Sequence, residues 1–290
     1  MKDYKYQTVF NYQVSYFMMR IFTLYWLWEQ IQIFNINAQR PAEFYTPSVW
    51  LQHLAVPTMP SYSYYYALCL ALLGCLVVSF FRQRMYLNIL VLVLVSLVGV
   101  VNAGYNGMRH TNHLLILYYF LSLFLLPNRL SPRDYRNVQY LNLGLLTTYS
   151  LAGMWKLLSV VKHEVLNTPE LSWIDTNAAK VNSWYNYYMI DQPLPEWMLT
   201  LYSYEGFWIL LTVVGIILQS LCFLGAFSRK YLTFTLIFLL SFHFYTKYFI
   251  IADLKSMKLG LVFLFFPYHI FYRQFQHWAC FRTDNFVKEL

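Results

Sequence analysis

Long apolar runs separated by short polar segments make up most of the chain. A run of about 20 apolar residues is long enough to cross the hydrocarbon core of a bilayer as an α-helix. The pattern therefore predicts an all-α integral membrane protein, a single domain over residues 1–290 built as one bundle of about eight transmembrane helices. The approximate bounds of the predicted spans are 12–34, 62–81, 86–103, 112–126, 138–160, 204–227, 231–251 and 254–275.

The polar segments between the runs carry three further predictions. Residues 48–56 are predicted to form a short helix that lies on the membrane. Residues 162–197 are rich in Trp, Tyr and Asn, which favours order, so they are predicted to form an external aromatic-rich cap between spans five and six. We expect one or two interfacial helices in this cap. Residues 276–290 are predicted to be a cytoplasmic tail.

The composition also indicates a membrane protein, since 59% of the residues are hydrophobic, 21% are aromatic and only 12% are charged. A soluble domain carries about 25% charged residues. The net charge of +8 does not indicate nucleic-acid binding, because the basic residues lie in short loops between apolar runs. With eight spans, most of them fall on the side of both termini, which predicts a multi-pass protein with cytoplasmic termini. These residues are Lys2, Lys5, Arg82, Arg84, Arg129, Arg133, Arg136, Arg229, Lys230, Arg273, Arg282 and Lys288.

One lysine, Lys156, lies inside the fifth predicted span. A charged side chain in hydrocarbon is energetically costly, so a functional site is the first interpretation. Ala152 and Gly153 precede it on the same helical face, where small residues would allow a neighbouring helix to approach closely. The alternative interpretation is that Lys156 extends along its four-carbon stem to the outer headgroups.

The predicted topology places most other intramembrane polar residues at the depth of Lys156, in the outer leaflet. Arg20 is the exception, because it lies nearer the middle of span one. Scattered structural hydrogen bonds need not lie at one depth. The shared depth therefore favours a pocket that opens outward. The residues at this depth are Glu29, Gln30, Asn112, His113, Tyr204, Glu205 and His243.

Each of these residues also has a purely structural interpretation. His113 could cap span four, and His243 could donate to a carbonyl of a neighbouring helix. For Arg20 a structural salt bridge is favoured over a functional role. The charges of Lys247, Lys255 and Lys258 are interpreted as solvated or facing lipid.

The chemistry that these residues predict is proton transfer rather than metal catalysis. The histidines lack metal-ligand spacing, and neither a nucleophilic serine motif nor a phosphate-binding loop is present in the sequence. A lysine removed from water favours its neutral amine, which can act as a base. The expected substrate is an amphipathic molecule held in the bilayer.

Four motifs resemble the HTTM (horizontally transferred transmembrane) domain family, which is related to the vitamin K-dependent gamma-glutamyl carboxylases. Arg20-Ile21-Phe22 is similar to the family's early Phe-Arg-Ile segment, and Asn112-His113-Leu114 to its Asn-His span. The segment from Tyr149 to Leu157 resembles the Tyr-x-x-Ala-Gly-x-x-Lys-Leu signature, and Phe242-His243 resembles a late Phe-His pair. The length is closer to small bacterial members, such as the sporulation-delaying-protein B type.

The resemblance implies a catalytic base at Lys156 and a second catalytic residue at His113. It further implies a reduced quinone, of the menaquinol or vitamin K hydroquinone type, and a location in the bacterial inner membrane. Tyr149 joins Asn112, His243 and Glu29 in the implied pocket. The carboxylases carry a long lumenal domain where this sequence has a short tail, so the expected substrate is a quinol or a peptide during maturation.

Two other functions remain open from the sequence. The chain could be a non-catalytic membrane subunit or scaffold that binds partner membrane or secreted proteins, an interpretation suggested by the aromatic cap. A transporter is less favoured, because the sequence has no internal repeat and the predicted pocket opens only outward.

Overall fold

The computed structural model describes residues 2–81, 85–128, 130–166 and 172–275. Arg82, Arg84, Arg129, residues 167–171 of the predicted cap and the predicted tail, 276–290, lie outside these ranges. The described residues form α-helices and short 3-10 turns without any strand, so the all-α prediction is confirmed. The helices are α1 (Lys2–Asn37), α2 (Trp50–Ala55), α3 (Tyr62–Phe81), α4 (Met85–Asn106), α5 (His110–Leu125), α6 (Tyr135–Leu166), α7 (Ala178–Tyr188), α8 (Glu196–Tyr202), α9 (Glu205–Ser220), α10 (Arg229–Phe249), α11 (Lys255–Phe265) and α12 (Tyr272–Phe275).

Each predicted span coincides with a helix, but few of these helices are long and apolar enough to cross a membrane. Of the described helices, α3 and α4 meet both criteria, and α8 with α9 could form a third span that bends by 82° at a break. Helices α5 and α9 have 16 residues each, about 24 Å at 1.5 Å per residue, which is less than the hydrocarbon thickness. The structure thus supports a membrane protein with two or three candidate spans, and it does not support eight spans or a cap.

The last predicted span is interrupted in the structure. Residues 254–275 form α11, which ends at Phe265, then a 3-10 turn over Tyr268–Phe271, then α12. Pro267 explains the break, because proline lacks the N–H that the helix requires and restricts the residue before it. The predicted short helix at 48–56 is confirmed as α2.

The chain divides into two compact units, the first formed by Met1–Leu141 with Leu259–Leu290 and the second by Asn142–Lys258. In the first unit, the side chain of Asn102 connects three helices. Its Nδ2 donates to the carbonyl oxygen and to Oε1 of Gln30, each at 3.0 Å, and to the Tyr65 hydroxyl at 3.3 Å. The ring of Tyr65 also stacks on Phe34, with 3.8 Å between centroids. These contacts hold α1, α3 and α4 together around a buried core.

The second unit contains an aromatic core around the bend between α8 and α9. Met198, Tyr202 and Trp208 are buried there, and Tyr245 and Phe249 of α10 pack against them. The Trp208 indole Nε1 donates to the carbonyl oxygen of Leu201 at 2.7 Å, which satisfies a polar group at the bend. After α9, a 3-10 turn over Cys222–Phe227 packs against α10. The core therefore packs the beginning of α9 against the last turns of α10.

Candidate functional site

Lys156 lies on α6, and its side chain is half-buried within the second unit. Its Nζ donates a hydrogen bond to Oε1 of Gln219 on α9 at 2.9 Å. The same nitrogen lies 5.1 Å from the ring centroid of Phe242 and 5.2 Å from that of Trp173. Among the described residues, the partners of Lys156 are thus a neutral amide and two aromatic faces, not a carboxylate.

A close approach between α6 and the end of α9 makes this contact possible. Gly153 is buried one turn before Lys156, and a Cβ placed on it would lie 2.5 Å from the backbone nitrogen of Ser220. Any larger residue would push α9 away from α6. The prediction of a small-residue approach on the face of Lys156 is correct for Gly153, whereas Ala152 is exposed.

Ser150 fixes the turn that follows α9. Its buried Oγ accepts a hydrogen bond from the backbone N–H of Phe223 at 2.9 Å and donates to the carbonyl oxygen of Leu146 at 3.3 Å. Because the first N–H groups of a turn lack partners of their own, this hydroxyl satisfies one of them. Ser150 and Gly153 together set the position of Gln219 relative to α6.

Tyr149 and His243 lie together within the same unit. Their rings meet edge to face, with 6.2 Å between centroids, and His243 is 4% exposed. The hydroxyl oxygen of Tyr149 is buried and has no hydrogen-bond partner among the described residues. A buried hydroxyl without a partner is energetically unfavourable, which indicates a position where a ligand atom could bind.

Tyr204 and Glu205 occupy the bend between α8 and α9, and both are exposed. Tyr204 is the residue that precedes α9, and its side chain makes no capping hydrogen bond. Both residues belong to the second unit, as Lys156 does.

Asn112, His113 and Glu29 belong to the first unit. Asn112 is buried, and its Oδ1 accepts from the Trp26 indole at 2.8 Å while its Nδ2 donates to the Gly99 carbonyl at 3.3 Å. It is therefore a structural bridge between helices. Glu29 accepts a hydrogen bond from the Tyr25 hydroxyl at 2.8 Å.

His113 has an exposed side chain on α5. The interpretation of His113 as the helix cap is wrong, because the capping position belongs to Arg109, which makes no side-chain capping bond. His113 instead lies in the first turn of the helix with its imidazole accessible.

Arg20 is buried on α1, but the salt bridge favoured from the sequence is replaced by neutral partners. Its Nε donates to Ser79 Oγ at 2.7 Å and one terminal nitrogen donates to Asn88 Oδ1 at 3.4 Å. The same terminal nitrogen also donates to the Tyr16 hydroxyl, and the other terminal nitrogen donates to the Tyr16 backbone carbonyl at 3.3 Å. The planar guanidinium of arginine carries five N–H donors, so it can make these four hydrogen bonds at once.

The interpretation of Lys247, Lys255 and Lys258 as solvated or lipid-facing charges holds for Lys255, whose side chain is 75% exposed, but the sequence did not reveal that all three share a carboxylate partner. All three surround Asp253, with the Lys258 Nζ at 3.0 Å, the Lys247 Nζ at 3.6 Å and the Lys255 Nζ at 3.9 Å from a carboxylate oxygen. The hydrogen bond from Lys258, with the charges of the three lysines, holds the pKa of Asp253 below its usual range.

Two residues near Lys156 were not identified from the sequence. Gln219 is a polar residue near the end of an apolar run, and the same argument that selected Lys156 would have selected it. Trp173 lies in the segment predicted as a cap and has no local signal. Among the described residues no cluster of three or more His, Cys, Asp or Glu could hold a metal ion.

Comparison of the chain with protein-family models, with curated proteins and with solved structures finds no match.

Proposed function

We propose that the chain is a membrane enzyme of the HTTM type in which the Lys156 amine removes a proton from an amphipathic substrate. The observation that carries this proposal is the set of partners around Nζ, a neutral amide at 2.9 Å and two aromatic rings at about 5 Å. A structural lysine in an apolar environment is normally paired with a carboxylate. Lys156 has the surroundings of a lysine that exchanges a proton.

The reaction step is a simple transfer. The neutral amine accepts a proton from an acidic O–H group, so that the O–H bond breaks and a new N–H bond forms. The product is an ammonium beside an oxyanion. Gln219 accepts a hydrogen bond from the ammonium, and the faces of Phe242 and Trp173 stabilise its charge. The unpartnered Tyr149 hydroxyl supplies a donor for an oxygen of the substrate.

A reduced quinone of the menaquinol or vitamin K hydroquinone type fits this chemistry best. It has a phenolic O–H to donate, an aromatic ring to pack against Phe242 and Trp173, and an apolar tail that stays in the bilayer. A peptide undergoing maturation is the second substrate expected from the resemblance. His113 as a second catalytic residue rests on the resemblance alone.

The proposed topology has eight spans with both termini in the cytoplasm of a bacterial inner membrane. Helical residues occur within all eight predicted spans, although of the described helices only α3, α4 and the bent pair of α8 and α9 have the length and hydropathy of a span. In this topology residues 162–197 form an external cap that contains α7. Lys156 then lies near the outer end of the fifth span, where a substrate could enter from the outer leaflet.

The test uses the full chain in lipid nanodiscs with menaquinol under anaerobic conditions, and the ultraviolet absorbance of the quinolate anion is the readout. The wild type should form quinolate at a pH at which free menaquinol stays protonated. Lys156→Met should reduce this signal at least tenfold, because it removes the amine but keeps most of the side-chain volume. Gln219→Leu should reduce it by a smaller factor.

Lys162→Met is the matched control, since Lys162 lies on the same helix and is exposed. It should leave the quinolate signal unchanged. An unchanged signal in Lys156→Met would contradict the proposal. His113→Ala, measured in the same way, separately tests the second catalytic residue.

The alternative function, a non-catalytic subunit, is favoured by one observation. On α7, Trp184 stacks on Tyr188 with 5.4 Å between ring centroids, and both side chains are more than half exposed. Such rings are suited to contact a partner protein. Purification in mild detergent that yields a stoichiometric partner, without any quinolate signal in the wild type, would support this function over the enzyme.

A further inference from the structure

The first unit contains a buried positive charge, Arg20, that has no carboxylate partner among the described residues. Arg20 is 2% exposed, and its described partners are hydroxyl, amide and carbonyl oxygens. The Tyr16 ring adds a cation–π contact, with 3.4 Å from the guanidinium carbon to the ring centroid. Neutral hydrogen bonds reduce the cost of burying a cation but leave its charge in place. A positive potential therefore extends from Arg20 to its neighbours.

A cleft opens beside two of these neighbours. It is small, with a volume of about 50 Å³, so it can take a single polar group while the rest of a ligand stays outside. One part of its wall is polar, with Tyr12, Gln13, Tyr16, Asn88 and Ser122. The other part is apolar and includes Leu123 and Leu126. A ligand for this cleft needs both a polar group and an apolar portion.

The side chain of Asn88 determines which polar group can bind. Its Oδ1 accepts from the Tyr16 hydroxyl at 2.7 Å and from Arg20 at 3.4 Å. The oxygen is thereby directed to Arg20, and the Nδ2 end of the amide is left to donate on the other side. Because Asn88 lines the cleft, a ligand meets a hydrogen-bond donor backed by a positive charge. An acceptor with negative charge fits this arrangement.

We propose that this cleft binds the phosphate group of an anionic phospholipid, with its acyl chain along the apolar wall. The helices beside the cleft supply the reason to choose a lipid over a free anion. Phe17 on α1 and Phe124 on α5 are 46% and 69% exposed, so apolar surface continues outside the cleft. In a membrane protein this surface faces lipid chains. The bound phosphate would supply a counter-charge to Arg20, which has none among the described residues.

The decisive variant is Asn88→Asp, which has almost the same shape. It replaces the donor by a carboxylate and places a negative charge beside Arg20 inside the protein. Two opposite changes should follow. The lipid-free variant should unfold at a higher temperature than the lipid-free wild type, because Arg20 gains a counter-charge. At the same time the variant should lose its preference for anionic lipid.

The experiment measures bound lipid by native mass spectrometry of the full chain, with thermal unfolding in parallel. Dioleoyl phosphatidylglycerol is compared with dioleoyl phosphatidylcholine and with inorganic phosphate. The wild type should bind phosphatidylglycerol about tenfold more tightly than phosphatidylcholine, because both lipids carry the phosphate but choline adds a cation that the positive potential of Arg20 disfavours. Asn88→Asp should abolish this ratio, and Asn142→Asp, the same change on α6 in the second unit, should preserve it.

A second variant keeps the test valid if Asn88→Asp does not fold. Gln13→Leu removes another polar group from the wall and should lower the preference several-fold. Equal binding of the two lipids by the wild type, or a preference that survives in Asn88→Asp, would overturn the proposal. Stabilisation by inorganic phosphate equal to that by phosphatidylglycerol would overturn the assignment to a lipid and indicate a free anion.

Discussion

Arg20 in the first unit and Lys156 in the second are both cations without a carboxylate partner among the described residues, yet their surroundings differ in kind. Arg20 is 2% exposed and contacts four oxygen atoms from three residues besides the Tyr16 ring. Lys156 is half-buried, and its one described hydrogen bond goes to Gln219. Arg20 uses all three of its nitrogens in described hydrogen bonds, whereas Lys156 uses one of its three N–H donors.

The chemistry of the two side chains explains this difference. A guanidinium stays protonated in proteins, so a buried arginine acts through its permanent charge and its fixed donor geometry. An ammonium can lose a proton when it is removed from water, so a half-buried lysine can act as a base. A buried cation with several neutral hydrogen bonds, such as Arg20, organises the structure. A cation with only one, such as Lys156, is available for reaction.

The largest expected effect comes from replacing each cation by the other. Arg20→Lys should lower the free energy of unfolding by about 2–4 kcal/mol, because a single ammonium cannot reach the oxygens that the planar guanidinium contacts. Lys156→Arg should change it by less than about 1 kcal/mol, since the site is half-exposed. Thermal and denaturant unfolding in detergent measure both changes. Equal destabilisation by Arg20→Lys and Lys156→Arg would contradict the proposed difference between the two cations.

The same pair of variants makes a second, qualitative distinction. Lys156→Arg should abolish quinolate formation although it keeps the charge, because a guanidinium does not act as a base at neutral pH. Arg20→Lys should retain the signal in the fraction of protein that remains folded.

A smaller effect is expected where the backbone supports Lys156. Gly153→Ala should destabilise the protein by about 1–3 kcal/mol, because its Cβ would lie 2.5 Å from the Ser220 nitrogen and the two helices would have to separate. It should also weaken the quinolate signal by displacing Gln219.

Gly215→Ala on α9 is the matched control for this substitution. A Cβ at Gly215 has no heavy atom within 4 Å, so the change should be neutral or stabilise by up to about 1 kcal/mol through reduced chain entropy. If both alanines gave the same unfolding temperature, the close approach of α6 and α9 would not support the site.

The smallest effect concerns Asp253, which differs from both cations because it is an exposed ion-pair centre. Its folded-state pKa lies below the ordinary value of 3.8, chiefly through the hydrogen bond from Lys258. A depressed folded-state pKa adds stability above the unfolded-state pKa, and this contribution is lost as the pH falls through the folded-state value. Asp253→Asn should therefore slightly lower the unfolding temperature at pH 6, and this difference should shrink as the pH falls below the unfolded-state pKa.

Asp191→Asn serves as the control for the pH experiment. Asp191 is exposed and has a positive φ of 56°, a backbone conformation that asparagine adopts as readily. It should leave the pH dependence of unfolding unchanged. A wild-type profile identical to that of Asp253→Asn would show that the three lysines add nothing measurable.

Much of the helical structure was predictable because it depends on local pattern. The apolar run 62–81 coincides with α3, and the run 231–251 lies within two residues of α10. Gly153 was identified as a point of close approach from its spacing to Lys156 alone. The position of a helix and the residues that share one of its faces follow from the 3.6-residue helical repeat. This repeat is visible in the local sequence, so it can be recognised without knowledge of the fold.

Only the tertiary structure decided which side chains meet. Ser79, the partner of Arg20, is 59 residues away in the chain, and Gln219, the partner of Lys156, is 63 residues away. The expected salt bridge of Arg20 and the cap at His113 were wrong because each assumed a partner from residue type. The sequence determined where costly polar groups enter apolar helices, since that cost is a property of each residue. The packing of distant helices decided how each group is satisfied, because a hydrogen bond depends on distances of about 3 Å that no local pattern specifies.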